Sequence, residues 1–322
     1  MSSPKPLMRM IVYMYGPPII NIMPQKMKSW FDKSTIKHLR FPFSFYLMPV
    51  FLFALSQADS IQWTPTIMGF LILHLLIFPS SNGYNSYQDR DETSIGGLKR
   101  PPKVTKNLFY TTLLFDFVGI VLGLFISIYF SVLVLVFVLV SRAYSFRGIR
   151  LKKYPIIGFL AVFIFQGGWV YLIASSAISP SAFDTFFTLD NFICMAIASL
   201  FLGSAYPLTQ IYQHEADKKD GVISISYKLG YNGTFIFSAI LFSLATLLLA
   251  YYFEIKNELI AVLLFLLLML PVIFRLSVWF NKVRRNSSNA NFENTMSMNV
   301  LTSTFMNLFF SILILNHFYT WF

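Results

Sequence analysis

The chain has 322 residues, of which 56% are hydrophobic, 18% aromatic and only 12% charged, with a formal net charge of +11. A soluble globular chain carries about 25% charge, so these proportions exclude a disordered protein and an ordinary soluble enzyme, and the single cysteine, Cys194, excludes a disulfide scaffold. They describe a polytopic membrane protein, whose basic excess reads as loops retained on the cytoplasmic side and not as a nucleic-acid surface.

The N-terminal segment 1–40 is basic and partly interfacial in composition, with no apolar run followed by a small-residue cleavage site, so no signal peptide is expected. Beyond it, a bilayer core of about 30 Å takes about 20 apolar residues per helix. That length predicts nine spans, at 41–57, 62–80, 108–126, 128–141, 155–177, 191–208, 233–253, 258–279 and 297–316. The third and fourth nearly merge across Ser127. The connections are too short for a soluble domain, which predicts one all-α membrane domain over residues 1–322, its helices around a central cavity.

The basic residues support this count. With the N-terminus in the cytoplasm, the segments 1–40, 81–107, 142–154, 209–232 and 280–296 lie on that side and hold 7, 5, 5, 3 and 3 Lys and Arg. Arg275 lies at the same end of the eighth span, and Lys256 is the exception. The expectation is a multi-pass protein of the cell inner membrane.

The acids are distributed differently. Asp59, Asp184, Asp190, Glu254 and Glu258 fall in predicted outer loops, Asp32 in the N-terminal segment and Glu293 before the last span. Asp116 lies within the third span, where a charge is costly and faces the bundle interior. The expected role is a hydrogen bond to a neighbouring helix, and Asp116→Asn is expected to keep both shape and activity.

Six acids cluster in two loops, Asp89, Asp91 and Glu92 after the second span, and Glu215, Asp217 and Asp220 after the sixth. In helical register Asn85 and Asp89 are four residues apart and share a face, as do Gln213 and Asp217. Two helix ends presenting oxygen ligands suit a hard divalent cation such as Mg²⁺, which completes its octahedron with water and phosphate oxygens. The nearby bases Arg90, Lys99, Arg100, Lys218 and Lys219 suit a diphosphate. Removing Asp89 or Asp217 is expected to cost the fold under about 1 kcal/mol, because loop acids pack little apolar area; the plain alternative for the two segments is a pair of solvated loops of mixed charge.

At these residues the chain resembles the UbiA superfamily of intramembrane prenyltransferases. The family's first motif, Asn-x-x-x-Asp-x-x-x-Asp with a later Asn-Arg-Pro, is similar to Asn85-Ser-Tyr-Gln-Asp89-Arg90 and Lys99-Arg100-Pro101 here. Its last Asp position falls on Thr93, so Asp91 or Glu92 has to replace it. The second motif, Asp-x-x-x-Asp with a later Gly and Leu-Gly, is similar to Gln213 and Asp217-Lys218 followed by Gly221 and Leu229-Gly230, with Gln213 at the first Asp position. Tyr144-Ser145 followed by Arg150-Leu151-Lys152 is similar to a third family segment after the fourth helix.

The resemblance implies nine helices and Mg-assisted ionisation of an allylic isoprenyl diphosphate, with transfer to a small hydrophobic or aromatic acceptor such as a quinone precursor. It implies Asp89 and Asp217 as the catalytic acids. The metal ligands it implies are drawn from Asn85, Asp89, Asp91, Glu92, Gln213, Asp217 and Asp220. Substrate contacts would come from Arg90, Lys99, Arg100, Tyr144, Arg150, Lys152, Tyr212 and Lys218. Tyr84 and Tyr87, with Tyr144 and Tyr212, either stabilise an allylic cation or sit in the interfacial aromatic belt. His214 is a proton acceptor or a solvated loop residue, and the polar segment Ala290–Asn294 borders an acceptor cavity. The donor tail is expected in an uncharged tunnel open sideways to lipid. A polytopic transporter and a terpene cyclase on the same fold are the alternatives.

Overall fold

The computed structural model describes residues 31–180 and 188–319; the first thirty residues of the predicted N-terminal segment and Asp184 lie outside them. Among the described residues, nine helices are long and apolar enough to cross a membrane. They are α1 (Lys33–Ser56), α2 (Trp63–Asp89), α3 (Lys106–Gly123), α4 (Ile128–Ser145), α5 (Pro155–Ile178), α6 (Leu189–Gln210), α7 (Ile225–Ile255), α8 (Leu259–Arg285) and α9 (Phe292–Tyr319). No strand occurs among them, and Ile95 and Leu98 form an isolated bridge. α1 packs on α5 and α9, α6 on α5 and α7, and α2 to α4 on one another. The outer faces carry exposed Leu, Ile and Phe, as a lipid-facing surface requires.

All nine predicted spans are present, and the differences lie at their polar ends. α1 starts eight residues before the predicted 41–57 and is broken. A helix over Lys33–Leu39 gives way to a 3-10 turn over Phe41–Tyr46 and a second helix over Met48–Ser56. The break is at Arg40, in the left-handed region at φ 49°. Its buried guanidinium donates to the carbonyls of Gly96 and Asn82, at 3.0 Å each, which ties α1 to the first acid loop and to α2.

α2 runs to Asp89, beyond the predicted end at 80. Its polar last turns stay helical because neighbouring helices satisfy them. Ser80 Oγ donates to the Thr112 carbonyl at 2.9 Å, and Ser81 Oγ meets Ser141 Oγ at 2.6 Å. Left-handed Arg90 ends the helix, its N–H on the Ser86 carbonyl.

α4 likewise runs past the predicted 141 to Ser145 and takes Arg142 out of the loop to which the sequence assigned it. Arg142 pairs with Asp116 of α3, Nε to Oδ2 at 2.9 Å, and also donates to Thr112 and Ser80 at 3.2 Å. Its guanidinium lies 3.9 Å above the Tyr84 ring. Asp116 therefore does face a neighbouring helix, with a full countercharge on it. α7 begins at Ile225, ahead of the predicted 233, and Gly230 breaks it at φ 66° and ψ 177°, a conformation open to glycine.

Two helices contain a wider turn. α2 is π-helical over Ile72–Ile77 and α5 over Phe163–Gly168. In α5 the wide turn ends on Gly167 and Gly168, which lie against α6, and the Gly168 N–H donates to Ser199 Oγ at 2.9 Å. A Cβ on Gly167 would stand 2.4 Å from the Ser199 Cα. Gly167→Ala is therefore expected to push α5 off α6 and cost about 1–3 kcal/mol. The check is the thermal midpoint in detergent, and a midpoint equal to wild type would show that the helices part without penalty.

Candidate active site

Three polar segments meet at the end of the bundle where α2, α4 and α6 finish. The last two turns of α2 present Asn85 and Asp89. After α6 the chain turns through Tyr212 into a short helix, His214–Lys219, capped by Gln213 and carrying Asp217. The loop after α4 supplies Arg147, left-handed Arg150 (φ 53°) and Lys152.

These bases knit the acid segments together. Lys152 Nζ is ion-paired with the Asp89 carboxylate and lies 3.4 Å from Asn85 Oδ1, which also accepts from Ser145 Oγ at 3.3 Å. Arg150 is ion-paired with Asp220, donates to the Asp220 carbonyl at 3.1 Å and reaches Asp89 Oδ1 at 3.5 Å. Arg147 donates to the Gln88 carbonyl at 2.8 Å and lies 3.4 Å from Asp220. Asp89 from α2 and Asp220 from beyond α6 are thus bridged by one guanidinium from the loop after α4.

Beneath them lies a cavity of about 270 Å³. Asn85, Asp89, Asp91, Lys152, Gln213 and Asp217 line its polar end, and Tyr46, Phe78, Phe137, Tyr144, Tyr206 and Tyr212 supply aromatic wall. The Tyr144 and Tyr206 hydroxyls are hydrogen-bonded to each other, and Gln210 Nε2 donates to the Tyr206 hydroxyl at 2.8 Å. Gln210 and Ser238 are among the lining residues, and their buried Oε1 and Oγ have no protein partner among the described residues.

Burial and mutual repulsion set the electrostatics. Desolvation chiefly, reinforced by Asp89 nearby, raises the Asp91 carboxyl to about 6. Desolvation raises Asp217 to about 7, with Asp91, Asp89 and Asp220 adding to it and Lys152 opposing it. Burial also raises the Tyr212 phenol. Both carboxyls bind a proton more tightly folded than unfolded. Their contribution to stability is complete below the ordinary carboxylate range and is lost as the pH rises through about 6 and then 7. Ligand-free protein is thus expected to melt higher at about pH 5 than at about pH 8, with Asp217→Asn flattening that slope. Scanning fluorimetry across the range checks this, and a midpoint that climbs with pH would remove the repulsive pair.

The cavity gathers part of the predicted site. Of the two acids available to replace the position at Thr93, Asp91 lines the cavity and Glu92 is exposed. Asp220 is held by Arg150 and Arg147 and is not part of the lining. Arg90, Lys99, Arg100 and Lys218 are exposed and turn away; Arg90 lies near the Tyr87 ring, Lys99 pairs with Glu293, and Lys218 lies near the Tyr227 ring. Tyr144 and Tyr212 line the cavity, whereas Tyr84 packs under Arg142 and Tyr87 against Phe109.

His214 is neither solvated nor in the lining. It is buried, its Nε2 lies 2.8 Å from Ser226 Oγ, its ring stacks on Tyr231, and desolvation lowers its pKa to about 4. Asn294 holds Arg275 at 3.0 Å, and the polar wall from α9 comes a turn later, from Asn299, Thr302 and Ser303. Sequence reasoning missed Arg40, Gln166, Tyr206 and Gln210 as lining residues. Gln166 carried a signal, as a polar residue within an apolar span.

Among the described residues no three carboxylate, His or Cys side chains form a ready metal cage. The oxygen donors lining the cavity nevertheless fit Mg²⁺, which binds through one or two carboxylates, waters and substrate phosphate and seldom through an all-protein cage. Both carboxyls are raised chiefly by desolvation and further by their acidic neighbours, and a bound cation would favour their charged forms.

No curated protein matches the chain in sequence. Solved structures share its fold. An apo UbiA homologue from Aeropyrum pernix K1 matches with a TM-score of 0.63 at 16% identity, over 86% of this chain and 98% of that one. A UbiA homologue from Archaeoglobus fulgidus bound to GPP and Mg²⁺ matches at 0.61 and 15% identity, over 87% and 99%. A digeranylgeranylglyceryl phosphate synthase matches at 0.56 and 19% identity, over 88% and 97%. The UbiA prenyltransferase family itself matches residues 46–301, from the middle of α1 into α9. That span takes in both acid segments and the basic loop between them, sets aside the transporter alternative, and shows that the chain belongs to the UbiA prenyltransferase family.

Proposed function

We propose that the chain is a Mg-dependent intramembrane prenyltransferase that moves an isoprenyl group from an allylic diphosphate to a small aromatic acceptor of the quinone-precursor kind. The observation that carries this reading is the convergence of Asn85, Asp89, Asp91, Gln213 and Asp217 with Lys152 on the polar end of one aromatic cavity. Support for the donor class comes from the Archaeoglobus homologue, which binds GPP and Mg²⁺. The acid end faces the cytoplasm of an inner membrane, as the basic residues argue, and the whole chain works as one domain.

Asn85, Asp89, Asp91, Gln213 and Asp217 are the residues that would hold the metal, and Mg²⁺ when bound supplies Lewis-acid neutralisation of the leaving diphosphate. Lys152 binds the diphosphate oxygens by charge-assisted hydrogen bonds, and Arg150, anchored on Asp220, adds positive potential at the same end. The allylic C–O bond breaks, diphosphate departs with the electron pair, and an allylic cation remains. The ring faces of Tyr144, Tyr206 and Tyr212 stabilise that cation by about 0.5–2 kcal/mol each and exclude water. A ring carbon of the acceptor bonds to the cation, and the proton lost from that carbon passes to the departed diphosphate.

The test is purified protein with radiolabelled farnesyl or geranylgeranyl diphosphate and a panel of hydroxylated aromatic acceptors, with Mg²⁺ or EDTA. Expected is a prenylated product that needs both acceptor and Mg²⁺. A hydrocarbon or cyclic alcohol formed without acceptor would make the chain a terpene cyclase. Equal transfer in EDTA would remove the metal.

A further inference from the structure

The short helix that carries Asp217 has to be held from outside. Its six residues, His214–Lys219, are too few for a helix to persist on its own hydrogen bonds. The ion pairs at this end use Asp220 and not Asp217, so the Asp217 carboxylate sits where its helix is placed. Beyond the last turn, Arg150 and Arg147 hold Asp220. At the first turn the anchor is His214, which grips α7 on both sides of the break at Gly230. Before the break, its Nε2 lies 2.8 Å from Ser226 Oγ and its ring meets the Tyr227 ring edge-on at 5.5 Å. After the break, the ring stacks on Tyr231 at 5.1 Å, with the planes 10° apart. Ser226 Oγ lies in turn 3.0 Å from Thr234 Oγ1, and Thr234 Oγ1 lies 2.7 Å from the Gly230 carbonyl and 3.1 Å from the Ser226 carbonyl. His214, Ser226 and Thr234 are all buried.

Counting hydrogens gives this row a direction. A carbonyl only accepts, so the Thr234 hydroxyl proton is committed to the backbone carbonyls. Ser226 must then donate to Thr234 and accept from His214, whose Nε2 carries the hydrogen. His214, Ser226, Thr234 and the Gly230 carbonyl thus form a directed chain from the acid helix to the backbone at the break. A buried polar network with its bonds made fixes one arrangement. We propose that His214 is a positioning residue: through Ser226 and Thr234 it fixes the Asp217 helix on the broken start of α7, and so sets how tightly the cavity holds Mg²⁺ together with a diphosphate. This deepens the proposed metal site and rests on it. It also takes His214 out of proton transfer, because its ring is turned to α7 and does not line the cavity. Groups that orient a metal ligand typically carry about 10–100-fold of metal affinity.

The experiment titrates Mn²⁺, in place of Mg²⁺, into the full chain in detergent with a non-hydrolysable geranyl thiolodiphosphate. Free Mn²⁺ is read by electron paramagnetic resonance at a temperature below every variant's thermal midpoint. His214→Phe keeps a ring between Tyr227 and Tyr231 and removes the donor, and Thr234→Val keeps the shape and removes the hydroxyl. Both are expected to weaken Mn²⁺ binding by about 10–100-fold. His214→Gln places a donor nitrogen the same number of bonds from Cβ as Nε2, and should bind Mn²⁺ more tightly than His214→Phe. Should His214→Phe fail to fold, Thr234→Val decides alone. Variants that lose thermal midpoint but bind Mn²⁺ as wild type does would overturn the positioning role and leave His214 a packing residue. Asp217→Asn separates the two layers. If it leaves Mn²⁺ binding unchanged, the metal reading of this segment itself fails. If it weakens binding while His214→Phe and Thr234→Val do not, the metal reading stands and the role of His214 alone falls.

Discussion

Asp89→Asn and Asp217→Asn are both expected to lower turnover by about two to three orders of magnitude or more, and to move stability in different directions. Each removes a carboxylate from the polar end of the cavity, where charge on a leaving diphosphate has to be met by preorganised groups. Asp89 is also the partner of Lys152 and a neighbour of Arg150, and its side chain is 6% exposed. Neutralising it leaves Lys152 without its countercharge, and a broken buried pair costs up to about 3–5 kcal/mol. Because Arg150 keeps Asp220, the cost should fall toward the lower end of that range. A solvated loop acid would have been removed at little cost, so the location of Asp89 on a helix end corrects that expectation. Asp217 has no ion-pair partner among the described residues, and its carboxyl is raised to about 7 by burial and by its acidic neighbours. Its neutralisation relieves repulsion and should leave the ligand-free thermal midpoint unchanged or higher. Turnover and scanning fluorimetry on the same preparations check both. Equal loss of midpoint in the two variants would show that the carboxylates do not differ in their partners.

Asp116→Asn is expected to be strongly destabilising, although Asn keeps the shape of the side chain. Shape is not what the site lacks after the exchange. Arg142 lies within α4 with its guanidinium on Asp116, Thr112, Ser80 and the Tyr84 ring, and the two side chains are 17% and 10% exposed. An unbalanced charge there costs about 3–5 kcal/mol. Arg142→Met alone strands the Asp116 carboxylate and should behave alike. The double variant Asp116→Leu, Arg142→Met removes both charges and should recover much of the loss, since an apolar pair of similar volume often equals a buried ion pair. The thermal midpoints of wild type, Asp116→Leu, Arg142→Met and the double variant form a closed cycle. Additive losses in the double variant would mean that the two residues do not act on each other. Because Ser80 and Tyr84 stand on α2 above Asn85 and Asp89, activity in the folded singles should fall as well.

The membrane architecture was legible because hydropathy reports burial in lipid directly. The ends of the helices were not, and the reason is physical. Ser81 to Asp89 reads as a loop by polarity, yet it remains helical because Ser141 and Ser145 on an adjacent helix take up its polar groups. Arg142 reads as a loop charge because its countercharge, Asp116, is distant in sequence. The acid residues of the site were visible through spacing and resemblance. The orientations of the bases were not, since nothing in the sequence distinguishes Lys152, turned into the cavity, from Lys99, turned out onto Glu293. Gln210 and Tyr206 escaped because a polar residue near the end of an apolar span looks interfacial until its hydrogen bonds are known.

The two wide turns in α2 and α5 also bear on how this chain is compared with its kin. A π turn carries one residue more than the α turn it interrupts, so Ile72–Ile77 and Phe163–Gly168 each amount to a single-residue insertion absorbed without a loop. Past each one, every side chain is rotated by about 100° around the helix axis relative to an uninterrupted α-helix. An alignment that forbids gaps inside helices would shift Asn85 and Asp89 away from their true counterparts by one position. The same reasoning gives evolution an economical move. Deleting one residue from the wide turn ahead of Asn85 would restore regular α-helix and leave both ligands facing the cavity, whereas the same deletion in a regular turn of α2 would swing them off it by about 100°.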